Sequence, residues 1–203
     1  MIRFISALFF LYILSSYAYS QKIPEDYVIT GNAKYKLKDS NSAVKDYDKA
    51  IELKPDYAEA YYNRASVKYE LKDYAAALKD YTKAIELYPN FADAYFNRAI
   101  VKLILNDYNG AMEDCNKAIV LKPDDYNAYN NRADIKFDSK DYEGAIDDYT
   151  KAINLYPDYP DAYFNRGTCR LNVQDREGAC SDWKKAKKLG NEPAIGFLNS
   201  YCR

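Results

Sequence analysis

Two kinds of side chain recur in this sequence in a way that could support chemistry. An asparagine returns every 34 residues, at Asn63, Asn97, Asn131 and Asn165. Each amide carries both donors and an acceptor, so it can grip a peptide backbone without choosing among side chains. The second kind is cysteine, at Cys115, Cys169, Cys180 and Cys202. A cysteine nucleophile needs a base, and the 203 residues include no histidine. That excludes Cys–His and Ser–His–Asp catalysis, His-ligated zinc and the usual general base. Phosphate-binding glycine loops, dinucleotide fingerprints, zinc spacings and serine elbows do not occur either. The acidic cluster Asp134, Asp138, Asp141 and Glu143 lacks calcium-loop spacing and its central glycine. It straddles a helix end and the following turn, and reads as a solvated face. The expectation is a protein that is not an enzyme, with no catalytic residues, no cofactor and no metal.

Charge narrows the partners further. Lys and Arg number 29 against 30 Asp and Glu, a net charge of −1. Sequence-independent nucleic-acid binding needs an excess of basic residues, so no nucleic-acid partner is expected. The 23 tyrosines invite a base-stacking role, but many fall at scaffold positions of the repeat described next. At the start, Arg3 precedes the apolar run Ile5 to Leu14, followed by small residues at Ala18 and Ser20 before Gln21. This reads as a secretory signal over residues 1–20, cleaved after Ser20, and predicts an exported protein, periplasmic or secreted. The run is well short of the roughly 20 residues that span a bilayer. No other segment is apolar enough, so no integral membrane span is expected after cleavage.

The elements that must position these residues repeat as well. Ala60-Tyr-Tyr-Asn-Arg-Ala65 returns as Ala94-Tyr-Phe-Asn-Arg-Ala99, Ala128-Tyr-Asn-Asn-Arg-Ala133 and Ala162-Tyr-Phe-Asn-Arg-Gly167. With a more divergent first copy, five units cover 24–57, 58–91, 92–125, 126–159 and 160–193. Each unit reads as two helices, with an Asp-Tyr turn between them and a proline closing the second in all but the last. Within a unit, position 4 is always tyrosine, position 8 is Gly or Ala, and positions 20 and 27 are Ala. Position 24 is bulky except at Cys115. In an antiparallel pair turning near position 15, position 4 lies level with position 27 and position 24 with position 8. Large then meets small, which lets two helices approach to about 8–10 Å.

This pattern resembles the tetratricopeptide repeat (TPR) family, over residues 24–193. The resemblance implies an all-α fold, a right-handed superhelical solenoid of five helix-turn-helix units, with residues 194–203 as a short C-terminal capping helix. It also implies that positions 2, 5, 6, 9, 12 and 13 line a concave groove. Position 6 is the asparagine column, flanked by Tyr62, Phe96 and Phe164 at position 5, with Ile100 and Leu103 deeper in. These are the expected peptide-binding residues, and asparagine ladders of similar TPR superhelices hold extended polypeptides. The two-carboxylate clamp known in chaperone-binding members is incomplete, because its basic positions are Val28, Asp93 and Asn97. Position 2 (Glu25, Glu59, Asp93, Asn127, Asp161) makes one groove edge acidic and should suit a basic or neutral segment.

Two positions depart from the family pattern. Position 7 is Arg64, Arg98, Arg132 and Arg166, level with Asp80, Asp114, Asp148 and Asp182 at position 23. The expectation is a structural ion-pair ladder of exposed pairs, each contributing about 0–1 kcal/mol, with position 11 lysines packing alongside. The ending, from Gly178-Ala-Cys-Ser-Asp-Trp183 to Cys202, resembles the tail of exported TPR proteins of Bacteroidetes-type bacteria. Export permits a disulfide. Cys115 and Cys169 lie two repeats apart, too far for the ~7 Å Cα limit of a bridge. Cys180, on the face that receives the next helix, can meet Cys202 there. The rival is Cys169–Cys180 across one hairpin. The function expected is a protein-binding scaffold, with a structural subunit of a cell-envelope assembly, using the convex face or the array ends, as the alternative.

Overall fold

The computed structural model describes residues 22–202; the expected signal over residues 1–20 lies outside the described residues. Among these residues eleven helices occur and no strand. They are α1 (Pro24–Lys36), α2 (Ser40–Leu53), α3 (Ala58–Glu70), α4 (Tyr74–Leu87), α5 (Ala92–Ile104) and α6 (Tyr108–Leu121). There follow α7 (Tyr126–Asp138), α8 (Tyr142–Leu155), α9 (Pro160–Asn172), α10 (Arg176–Lys188) and α11 (Pro193–Tyr201). The last helix begins one residue before the expected cap, with Pro193 in its first turn, where a missing N–H costs nothing. The chain forms two compact units, one ending at Leu87 and one beginning at Tyr88. In the first, α1 pairs with α2 and α3 with α4; in the second, α5 pairs with α6, α7 with α8 and α9 with α10, and α11 packs on α10.

One turn design serves all five hairpins. Each first helix ends in a left-handed residue at position 15: Lys38, Lys72, Asn106, Lys140 and Gln174, with φ between 62° and 66°. In the fourth hairpin the Lys140 N–H bonds the Phe137 carbonyl and the Asp141 N–H bonds the Lys136 carbonyl, both at 2.9 Å. This reciprocal pattern satisfies the orphan carbonyls of the helix end. The very next residue, aspartate, then caps the second helix. Asp107, Asp141 and Asp175 accept the N–H of Gly110, Gly144 and Gly178 at 3.0, 3.0 and 2.9 Å. Asp39 and Asp73 accept from Ser42 and Ala76 at 3.2 Å, where a Cβ stands against the capping carboxylate.

Inside each hairpin, large meets small at the expected heights. A Cβ on Gly31 would stand 2.7 Å from the Tyr47 ring, and one on Gly167 2.7 Å from the Trp183 indole nitrogen. Tyr47, Tyr81, Tyr149 and Trp183 are each 1% exposed or less, as are all the alanines at positions 20 and 8. Ala50, Ala84, Ala118, Ala152 and Ala186, at position 27, are buried as well. Cys115 takes the aromatic site in the third repeat and is also fully buried.

The ion-pair ladder forms, but it is not exposed. Asp80, Asp114, Asp148 and Asp182 are only 3–4% exposed. Arg132 grips Asp148 with two bonds of 2.8 and 2.6 Å, and Lys136 adds a third contact at 2.8 Å. Arg132 also reaches back to Asn116 on α6 at 2.7 Å, while Arg166 reaches Thr150 on α8 at 3.0 Å. The guanidinium therefore ties its own hairpin together and joins it to the preceding one. A buried, hydrogen-bonded charge pair is far costlier to break than a surface pair, about 3–5 kcal/mol. The expected 0–1 kcal/mol is corrected accordingly: the carboxylate end of each pair lies beneath the hairpin.

Candidate functional site

A second coupling across the hairpin, between positions 9 and 24, organises the face of the first helices. The buried Tyr47 hydroxyl donates to Asn32 Oδ1 at 2.7 Å, and the Tyr81 hydroxyl lies 3.1 Å from the Ser66 hydroxyl. The Tyr149 hydroxyl donates to Asp134. In the third repeat Cys115 brings no hydroxyl, and position 9 is the apolar Ile100. In the fifth, Trp183 turns its indole N–H to the Phe164 carbonyl at 3.2 Å, and position 9 is Thr168. A buried phenol needs an acceptor, so position 9 follows position 24 rather than a column of its own.

Asp134 is the departure in this series. Its Oδ1 accepts from Tyr149 and from the Asn165 amide, the latter at 3.3 Å, and its Oδ2 accepts from Asn130 at 3.1 Å. Burial first, then the charges of Asp138 and Asp161, push its carboxyl above the usual range, against the opposing bonds from Tyr149 and Asn165. The reading of Asp134 as part of a solvated acidic face is therefore wrong. Asp138 is exposed, Asp141 caps α8, and only Asp134 turns inward. The repeat register carried the missing signal, since position 9 faces position 24 across the hairpin.

Around this carboxylate lies a cavity of about 350 Å³ within the second unit. Its walls are Asp134, Phe137 and Asp138 from α7, Tyr149 from α8, Phe164, Asn165 and Thr168 from α9, and Phe197 from α11. Positions 9, 12 and 13 of one repeat and 5, 6 and 9 of the next thus converge on one space. Phe164 and Phe197 meet edge to face at 5.0 Å between ring centres, which fixes one wall.

The expected site residues divide among three situations. Phe164 and Asn165 line the cavity. Asn131 is half-buried and its side-chain amide makes no hydrogen bond among the described residues, while Asn63 keeps its Nδ2 buried without a partner. Asn97 and Ile100 are half-buried. Tyr62 leans on the Tyr81 ring at 5.8 Å, and Phe96 packs against a core cluster that includes Ala118 and Ala128; both are partly taken up by the scaffold. The acidic edge is also partly neutralised. Lys54 pairs with Glu25 at 3.2 Å and Lys122 with Asp93 at 3.6 Å, while Asn191 donates to Asp161 at 3.0 Å.

A second cavity, of about 420 Å³, opens between α6 and α7 beside Tyr108, Met112 and Ile135. In the second and fourth repeats positions 12 and 17 hold paired aromatics, Tyr69 with Tyr74 and Phe137 with Tyr142 at 5.8 and 5.6 Å. Here position 12 is the smaller Leu103 and position 24 is Cys115, so the layer is underfilled. At the end of the chain Cys180 and Cys202 are joined, with Cα atoms 5.7 Å apart. Cys115 and Cys169 are free and fully buried, which pushes both thiols up to about 12 and makes them inert. No helix among the described residues is long and apolar enough to cross a membrane.

Comparison with known proteins follows the same register. A family model described as Tetratricopeptide repeat matches residues 58–91 and 92–125, and one described as TPR repeat matches residues 31–72 and 133–169. No curated protein matches the sequence. Among solved structures, YrrB, described as a TPR protein with an unusual peptide-binding site, is 22% identical with a TM-score of 0.75. That match covers 85% of this chain and 90% of YrrB. MamA from Desulfovibrio magneticus RS-1 is 19% identical with a TM-score of 0.76, covering 82% of this chain and 94% of its own. The pilF protein of Pseudomonas aeruginosa is 18% identical with a TM-score of 0.74, covering 82% and 76%. At these identities the likeness is one of fold.

Proposed function

Because the chain belongs to the tetratricopeptide repeat family, we propose that it is a non-enzymatic scaffold that binds an extended segment of a partner protein along the face of its first helices. The observation that carries this reading is the convergence of groove positions from α7 and α9 on one cavity. Beside it, the position 6 amides offer backbone-directed bonds at 34-residue intervals. Asn131, whose side chain makes no intramolecular hydrogen bond among the described residues, is the amide best placed to bond a ligand. The peptide-binding site of the similar YrrB adds weight. The partner is a protein or peptide, with no cofactor and no nucleic acid.

The setting proposed is outside the cytoplasm, periplasmic or secreted, after cleavage following Ser20. The Cys180–Cys202 bridge suits an oxidising compartment. N-terminal sequencing of natively produced protein should begin at Gln21; a retained Met1 would overturn the cleavage. The binding reading is tested by selecting extended peptides from a random library and cross-linking them from probes placed along the chain. Bound peptides should cross-link from position 131 and be competed by unlabelled peptide. Cross-linking confined to α11 or to the second helices would instead favour a subunit of an envelope assembly that uses its ends or outer face.

A further inference from the structure

We propose that the cavity between α7 and α9 receives the ammonium of a lysine side chain, with Asp134 as the charge it meets and Phe137, Phe164 and Phe197 around its alkyl stem. The inference rests on the peptide-binding reading above and names what that peptide must carry. It starts from a charge that the fold does not need. A buried tyrosine hydroxyl at position 24 is satisfied by Asn32 in the first repeat and by Ser66 in the second. Only in the fourth repeat is the acceptor a carboxylate, and a carboxylate carries a desolvation cost that a neutral acceptor avoids.

That charge is left uncompensated. Asp80, Asp114, Asp148 and Asp182 each lie within 4 Å of an Arg and of a second cation. Asp134 has three neutral donors, and none of its contacts among the described residues is a Lys or an Arg. A second negative charge, Asp138, lines the same cavity. The cavity is thus electrically incomplete without a ligand cation.

The count of acceptor sites selects the kind of cation. A carboxylate offers about four lone-pair sites. Oδ1 already takes two donors and Oδ2 one, so a single site remains, on Oδ2. A guanidinium needs two parallel acceptors for its fork; an ammonium is a point charge content with one. The amide that donates to Oδ2, that of Asn130, keeps its own Oδ1 buried without a partner. Asn130 itself is 7% exposed. Three phenylalanines on the walls suit an aliphatic stem ending in a cation, because ring faces attract positive charge. At about 350 Å³ the space is of ligand-pocket size, near the lower end of the usual range of about 300–1,000 Å³.

The test uses the disulfide-bonded chain from Gln21 onward and four probes, read by side-chain amide shifts of Asn130 and Asn165. They are a blocked extended alanine peptide with one central lysine, the same peptide with Nε-acetyl-lysine, the same with arginine, and n-butylamine. The lysine peptide should give a saturable response, with the acetylated and arginine peptides at least roughly tenfold weaker. In Asp134→Asn the lysine preference should vanish while thermal stability rises; Asp134→Ser, which copies the Ser66–Tyr81 pair of the second repeat, serves should the first variant misfold. Equal binding of the acetylated peptide, or a lysine preference surviving both substitutions, would overturn the cavity while leaving peptide binding to the face intact. Arginine binding as tightly as lysine would overturn the count of acceptor sites. Butylamine matching the lysine peptide would make the site a free-amine receptor, and would remove support from the peptide-binding reading itself.

Discussion

Asp148, buried, and Asp134, half-buried, are two carboxylates of one repeat with opposite consequences. Asp148 receives two bonds from Arg132 and one contact from Lys136, so its burial is compensated. Removing the guanidinium in Arg132→Ala should cost about 3 kcal/mol, since a buried charge is left short of its main partner. The double variant Arg132→Met with Asp148→Leu should recover most of that, because well-packed apolar groups replace a buried pair at little net cost. Denaturant melts of the two variants decide the point. Asp134 has no cation among the described residues, and burial holds its carboxyl above its ordinary range. A carboxyl with a raised folded pKa binds its proton more readily folded than unfolded. Its charge therefore weakens the fold above the folded pKa, and the penalty fades as the pH falls toward the unfolded value. Asp134→Asn should melt at higher temperature than the natural chain at neutral pH, with the gap narrowing on acidification. A gap that is absent, or that widens in acid, would contradict the burial argument.

At the scale of the helix pair, the register is set by shape, and shape was legible in the sequence. The constant tyrosine at position 4, the small residue at position 8 and the alanines at 20 and 27 foretell which residues touch, because only large-on-small lets two helices close. The capping aspartate was readable for the same reason: it recurs, and a helix start needs an acceptor. Gly167→Ala should therefore cost about 1–3 kcal/mol, the range for overpacking, because its Cβ would press on the rigid Trp183 ring. In contrast, Gly178→Ala should cost little, since Ala76 already fills the equivalent turn position. Position 9 was not legible as a column. It runs Asn32, Ser66, Ile100, Asp134, Thr168, and its meaning emerges only beside position 24 on the partner helix. Asp134 also stands within a run of exposed carboxylates, so its inward turn had no local mark. The burial of the ladder aspartates escaped for a related reason: charge alone does not say which end of a pair lies underneath.

For the whole molecule, the repeats supply a stability that is roughly a sum of hairpins and their neighbour contacts, and the free end of such an array needs closing. Here α11 does this, with Phe197, Leu198 and Cys202 packed on the cluster of Trp183, Ala186 and Ala194. The bridge from Cys180 to Cys202 holds α11 in place across 22 residues. Reduction should lower stability by about 3 kcal/mol in the loop-entropy account. It should also raise hydrogen exchange first in α11, and because Phe197 walls the cavity, it should weaken ligand binding there as well. The central claim is that the asparagine face, rather than the arginine ladder, contacts the partner. The most direct measurement compares Asn131→Ala with Arg132→Ala, adjacent residues on one helix, for affinity toward a selected peptide and for melting temperature. Asn131→Ala should leave the melt nearly unchanged, within about 0.5 kcal/mol, and weaken binding by the roughly 0.5–1.5 kcal/mol of a neutral hydrogen bond. Arg132→Ala should lower the melt and spare affinity at matched folded fraction. Binding abolished by Arg132→Ala in a fully folded protein, with Asn131→Ala silent, would contradict the account.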